Sequence, residues 1–113
     1  SIVGDPVNVA ARLESLTEEL GVPILVSEAT ARAAQGFRFV DLGLHDLRGR
    51  SAATRVFALH DAGTTPDDAE FATFERLHRA VLDATRGSPE QAEAIAVASA
   101  NPHGARYARF YAR

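Results

Sequence analysis

The sequence predicts an α+β domain followed by a small all-helical tail. Short β-branched and alternating apolar runs occur only in residues 1–60, whereas residues 71–113 carry helical apolar spacing. Between them, residues 61–70 are rich in Gly, Thr, Pro and acid, which is typical of a linker. With 46% apolar residues in 113, the chain can form a globular core.

A first helix is predicted over residues 7–20. Asp5 is a capping residue type and Pro6 suits the first helical position, because its missing N–H has no acceptor there. Apolar residues then recur at three- and four-residue spacing, and Gly21 with Pro23 provides the stop. The β-branched run 24–26 follows as a short strand.

A short helix over 28–35, capped by Ser27 and closed by Gly36, comes before the remaining strands. Residues 37–42 and 44–47 alternate apolar and polar types, so we predict two strands separated by Gly43. Residues 48–51 turn the chain into a further candidate strand over 54–59. No strand is expected after Leu59.

The tail is predicted to contain three helices. The first has one apolar face and ends at Gly87; the second runs from a capping box at 88–91 to Ala100. Asn101 and Pro102 repeat the cap-and-proline start, with Ala105, Ala108 and Tyr111 on one side of the third helix. The tail resembles a single tetratricopeptide-like unit, which would not be stable alone and should pack on the domain or on a partner.

Composition limits the possible functions. Twelve Lys and Arg against fifteen Asp and Glu give a net charge of −3, so general attraction to nucleic acid or anionic lipid is not expected. The absence of cysteine excludes disulfides and thiolate metal sites. There is neither a membrane-length apolar stretch nor a signal peptide, which predicts a cytoplasmic chain.

Asn8 and Arg12 form the first candidate site. They stand four residues apart on the first helix and therefore project from the same face. Asn8 offers an amide donor and acceptor, and Arg12 a permanently charged fork of donors. On spacing alone such a pair is more typical of a solvated helix surface than of a site.

The surrounding residues change that interpretation. Residues 2–14, IVGDPVNVAARLE, resemble the G-D-x-V-N-x-A-A-R-L-E signature of bacterial class III adenylate and guanylate cyclases. Residues 22–30 are similar to the strand and helix that follow the signature, residues 44–51 to the family's K-G-R-S loop, and residues 56–59 to its closing strand. The resemblance covers residues 1–59 and implies the C-terminal part of a ferredoxin-like nucleotide cyclase domain.

The resemblance implies a reaction and assigns residues to it. In this family the ribose 3′-hydroxyl attacks the α-phosphorus of a nucleoside triphosphate, which releases pyrophosphate and closes a cyclic monophosphate. Arg12 matches the residue that stabilises the transferring phosphate, and Asn8 the one that orients the ribose. Arg48 replaces the phosphate-binding lysine, keeping its charge but changing its geometry. Ser1 matches a base-reading position and favours ATP over GTP, without settling between them.

The resemblance also implies partners. Two divalent ions, Mg or Mn, serve the intact dimer, but their two aspartates and a base-contacting lysine lie upstream of the signature, so this chain is expected to carry no metal ligands and to be inactive alone. Asp5, Glu14, Asp41 and Asp46 are interpreted as cap, helix-surface and turn acids. Sites form between two cyclase domains, most simply in a homodimer; a heterodimer could have one site.

Two other interpretations stay open. The parent could be a catalytically dead cyclase-like domain with a regulatory or binding role, or the tail could recruit a partner protein. The four histidines, at positions 45, 60, 78 and 103, show no metal-binding spacing on one helix and are interpreted as surface or partly packed residues.

Overall fold

The computed structural model describes residues 4–47, 53–62 and 68–113, with side chains for 11–47, 53–62 and 69–113. These residues form a three-stranded antiparallel sheet and five α-helices, which confirms the α+β class. The chain divides into two compact units, residues 1–62 and 63–113. None of the helices in the described ranges combines the length and apolar character that a membrane crossing requires.

The first helix, α1 (Gly4–Leu20), begins before the predicted start at Val7. Asp5 and Pro6 therefore lie inside its first turn rather than at its edge. The first four N–H groups of a helix have no intrahelical acceptor, so Pro6 is tolerated there. The helix ends as predicted, because Gly21 has a φ of 71° and its N–H donates to the Thr17 carbonyl at 2.9 Å.

Strand β1 (Leu25–Ser27) runs directly into helix α2 (Glu28–Ala33). The predicted cap is confirmed, since Ser27 Oγ accepts a hydrogen bond from the Thr30 N–H at 3.3 Å. The helix ends earlier than the predicted residue 35: Ala34 already has an extended backbone, and Gly36 follows with a φ of 80°.

Strand β2 (Phe37–His45) is continuous, so the prediction of two strands separated by Gly43 is wrong. The pairing register shifts between Asp41 and Leu44, which marks a bulge, and Gly43 takes a φ of 85°. Asp41 Oδ1 accepts from the Gly43 N–H at 2.8 Å, and this bond holds the bulge. Glycine here bends the strand instead of ending it.

Strand β3 (Thr54–Ala62) is the centre of the sheet, whose order is β1-β3-β2. It continues past Leu59, where no further strand was expected. Asp61, assigned to the linker by composition, pairs with Arg38 in the register of β2 and β3. Arg38 is buried, and its Nε donates to Asp61 Oδ1 at 2.6 Å, so a neutralised charge pair keeps this end of the strand in the sheet.

The first unit has its own apolar core between the helix and the sheet. Leu16 and Leu20 of α1 are each 1% exposed, as expected for residues four apart on one helix face. The remaining buried apolar residues of this unit are Val22, Leu25, Val40, Leu42, Leu47, Val56 and Ala58. They include alternate residues of β2 and β3, so one face of the sheet forms the core.

The second unit begins with α3 (Asp68–Asp83), which takes the last residues of the predicted linker, and α4 (Pro89–Ala100). The predicted cap of α4 is confirmed, because Ser88 Oγ accepts from the Gln91 N–H at 3.1 Å. Gln91 Oε1 in turn accepts from the Gly87 N–H at 2.8 Å, one residue before the position that a capping box uses.

The third predicted helix of the tail is only partly correct. A 3₁₀ turn (Gly104–Tyr107) and a short α5 (Ala108–Ala112) form instead of one helix starting at Pro102. Asn101 caps the end of α4, and its Oδ1 accepts from the His103 N–H at 2.9 Å, so it closes a turn rather than starting a helix. Ala105 and Ala108 are exposed; the buried side carries Tyr107, Phe110 and Tyr111.

Candidate functional site

Arg12, on α1, contacts two acceptors, one far from it in sequence and one on its own helix. Its Nε donates to the backbone carbonyl of Asp46 at 3.3 Å, and its Nη1 donates to Glu19 Oε1 at 3.0 Å. Glu19 is seven residues further along the same helix, about two turns, so the two side chains share a face. The side chain of Arg12 is 30% exposed, so solvent still reaches it.

The bond to Asp46 connects α1 to the residues that follow β2. Asp46 is separated from Arg12 by 34 positions and precedes the candidate Arg48 by two. Leu47, between them, is 1% exposed and belongs to the core of the first unit. A buried leucine thus fixes the chain at the point where it leaves β2, beside the guanidinium of Arg12.

The other three candidate residues lie wholly or partly outside the described residues. Arg48 and Ser1 lie outside the described residues, as does the side chain of Asn8. The backbone of Asn8 is part of α1, one turn before Arg12. Of the four predicted site residues, Arg12 is the one whose side chain lies in the part of the chain that the structure describes.

The guanidinium of Arg12 keeps donors available. Arginine carries five N–H groups in a planar fork, and two of them are used by Asp46 and Glu19. Within the described ranges, Nη2 has no acceptor. Such a fork, permanently charged and in contact with solvent, can bind a phosphate or a carboxylate.

Asp41 of the first unit takes part in two structural contacts. Asp41, besides holding the bulge, accepts from Arg55 Nη1 at 2.7 Å across the pair of strands β2 and β3. No group of three or more His, Asp or Glu side chains suited to a metal ion occurs in the part of the chain that the structure describes.

A second polar contact lies in the helical unit and was not predicted. His78 Nδ1 and Tyr111 Oη are 2.7 Å apart, inside a cluster of rings that includes Phe74, Tyr107 and Phe110. His78 is 4% and Tyr111 is 7% exposed, and burial raises the pKa of the Tyr111 hydroxyl.

The interpretation of the histidines as surface or partly packed residues is wrong for His60 and His78, which are both buried. One signal was present in the sequence. His78 follows Phe74 by four residues and Phe71 by seven, so it belongs to the apolar stripe of α3. The partner Tyr111, 33 residues away, has no such local signal.

Comparisons with protein-family models, with curated proteins and with solved structures give no match. The α+β fold and the contacts of Arg12 are therefore the structural findings on this site. The resemblance to class III cyclases stays a prediction from the residues that carry it.

Proposed function

We propose that this chain is the C-terminal part of a class III adenylate cyclase domain, which converts ATP to cyclic AMP and pyrophosphate as a dimer. In this proposal Arg12 stabilises charge on the transferring phosphate and Asn8 orients the ribose. Arg48 binds phosphate, and Ser1 contacts the base. ATP is preferred to GTP because a hydroxyl at the position of Ser1 is compatible with adenine.

The hydrogen bond from Arg12 to the Asp46 carbonyl is the observation that supports this proposal best. The signature helix and the segment before Arg48 are distant in sequence, yet this bond brings them into contact. A triphosphate carries several charges along its length, so cations from two segments can each contact a different phosphate. The contact supplies a reason for both segments to take part in one site.

The proposed chemistry follows from where charge develops. The 3′-oxygen forms a bond to the α-phosphorus and gives its proton to water. The bond from the α-phosphorus to the oxygen that bridges the α- and β-phosphates breaks, and pyrophosphate leaves with that oxygen. Negative charge grows on the phosphate oxygens, and a fixed guanidinium stabilises it without reorganising. Divalent ions, when bound, would activate the hydroxyl and neutralise the phosphates. The resemblance implies that their ligands are two aspartates upstream of the signature, supplied by a second cyclase domain, most simply in a homodimer.

Binding of Mg·ATP to the ¹⁵N-labelled chain, followed by amide chemical shifts, tests the role of Arg12. We expect shifts in α1 and at residues 44–47, and an affinity about five- to tenfold lower for Arg12→Ala, the loss of one charge-assisted contact. Arg32→Ala is the matched control, because Arg32 also pairs with a glutamate on its own helix, Glu28 at 3.1 Å. Equal binding by both variants would contradict the proposal.

One observation favours the second candidate, a catalytically dead cyclase-like domain with a regulatory or binding role. Arg12 already has a carboxylate partner, Glu19, and such a pair can be purely structural. The coding DNA upstream of Ser1, over about 100 residues, separates the two candidates. Two strand-associated aspartates and a lysine there support the enzyme; their replacement supports the regulatory domain.

A further inference from the structure

We propose that Glu19 competes with phosphate for Arg12 and thereby sets the affinity of the site for polyphosphate. This inference rests on the proposed role of Arg12 in binding substrate phosphate. Without substrate, Glu19 acts as the counter-ion of Arg12. When a polyphosphate arrives, the carboxylate leaves the guanidinium and a phosphate oxygen takes its place.

The geometry of the guanidinium explains why the two ligands compete. A planar guanidinium binds two oxygens of one phosphate through either of two edges, one made by Nε and an Nη and the other by both Nη groups. The Asp46 carbonyl occupies Nε, and Glu19 occupies Nη1. Each edge therefore has an acceptor next to one of its nitrogens, so a phosphate that binds through either edge comes close to the Asp46 carbonyl or to the Glu19 carboxylate.

Of the two acceptors, Glu19 is the one that a phosphate displaces more easily. Its side chain is 55% exposed, and an ion pair in contact with water is weak because solvent competes for both charges. The Asp46 carbonyl is a backbone group, and the adjacent Leu47 is held in the core of the first unit. Displacing the carbonyl would require the backbone to move, whereas Glu19 needs only a rotamer change.

The negative charge of Glu19, like its position, opposes the binding of phosphate to Arg12. Its carboxylate lies 3.0 Å from Arg12 Nη1, so it remains close to any phosphate bound there unless it rotates away. A like charge at such a distance disfavours an anion. Removing this charge while keeping the shape of the side chain should therefore tighten the binding of polyphosphate.

Glu19→Gln tests this inference with inorganic tripolyphosphate as the probe, titrated without metal ion at constant ionic strength and followed by amide chemical shifts. We expect binding about two- to fivefold tighter than in the wild-type chain, the range for loss of one exposed charge pair. The matched control is Glu28→Gln, which removes a carboxylate paired with Arg32 on α2 at 3.1 Å and should leave the affinity unchanged. Far-UV circular dichroism checks that each variant is folded.

Two further variants separate the possible failures. If Arg12→Ala weakens binding but Glu19→Gln leaves it unchanged, the competition is disproved and the role of Arg12 stands. If Arg12→Ala has no effect, the proposed function itself fails, and this inference with it. If the double variant Arg12→Ala with Glu19→Gln binds more tightly than Arg12→Ala alone, Glu19 acts through net charge rather than through Arg12, which also overturns the proposal.

Discussion

At the scale of single residues, the two polar contacts of interest differ in how far the sequence predicts them. Arg12 was singled out because it lies in a recognisable string of residues, and His78 could have been recognised from its place on an apolar stripe. Their partners could not be predicted. Asp46 and Tyr111 are more than 30 positions away, at separations of 34 and 33, and only the packed chain brings them close.

Tyr111 should make the helical unit sensitive to alkali. Burial raises its pKa above the ordinary value of 10.0, so above that pH the unfolded chain loses this proton while the folded chain keeps it. Stability contributed by Tyr111 is therefore complete below pH 10 and falls as the pH rises towards the folded-state pKa. Between pH 9 and pH 11 the loss should reach about 1.4 kcal/mol for one proton.

Tyr111→Phe tests this alkaline loss by urea unfolding at pH 8, 9 and 11, followed by far-UV circular dichroism. The variant should be less stable at pH 8 by about 1 kcal/mol, because its hydrogen bond to His78 is lost. Between pH 8 and pH 11 the variant should lose less free energy of unfolding than the wild-type chain. Identical pH dependence of stability in both proteins would show that burial of the Tyr111 hydroxyl does not cause the alkaline loss.

At the scale of helices and strands, local patterns predicted the type of each element better than its ends. The alternation on both sides of Gly43 predicted strand correctly, but a glycine that interrupts it is compatible with either a turn or a bulge, since both use a positive φ. Pairing with β3 decides the outcome, because its hydrogen bonds continue on both sides of Gly43. Pairing joins residues that are distant in sequence, so the local spacing of apolar residues cannot predict it.

Gly104→Ala should disrupt the contact between α4 and the 3₁₀ turn. A Cβ at Gly104 would lie 1.8 Å from the Ala98 carbonyl oxygen and 3.3 Å from a ring carbon of Phe74. A backbone atom cannot move aside as a flexible side chain does, so we expect a loss of at least about 3 kcal/mol in the free energy of unfolding. Urea unfolding followed by tyrosine fluorescence measures it, since both tyrosines lie in this unit.

The matched control is Gly87→Ala, in the turn between α3 and α4. Gly87 has a φ of 79°, but a Cβ there would meet nothing within 4 Å. This variant therefore carries only the strain of an alanine at positive φ, about 1–2 kcal/mol. If Gly104→Ala is no more destabilising than Gly87→Ala, close packing against Ala98 is not what requires glycine at position 104.

At the scale of the whole molecule, the change of hydrophobic period along the chain predicted the α+β class followed by helices. That signal is robust because it is repeated over many residues. The proposed site is less predictable, since it depends on single contacts between separate elements. The sequence predicts Arg12 as a site residue. It does not predict Glu19 as the counter-ion of Arg12, because that pair depends on the rotamers of two long side chains on α1.

The two compact units each have their own buried residues, which predicts separate responses to core substitutions. Leu42 in the first unit and Phe74 in the second are both 0% exposed. Leu42→Ala and Phe74→Ala should each cost about 3–5 kcal/mol within the unit that contains the cavity. Amide hydrogen exchange, measured over residues 4–62 and 68–113, reports on both units in the same sample.

Tyrosine fluorescence supplies an independent measurement, because the chain has no tryptophan and both tyrosines belong to the second unit. Phe74→Ala should shift the tyrosine unfolding transition to lower urea, while Leu42→Ala should leave it in place and speed exchange in β2 and β3. The opposite result, in which either substitution shifts both units equally, would mean that they unfold as one cooperative structure. The stability around Arg12 would then depend on the helical unit as well as on its own sheet.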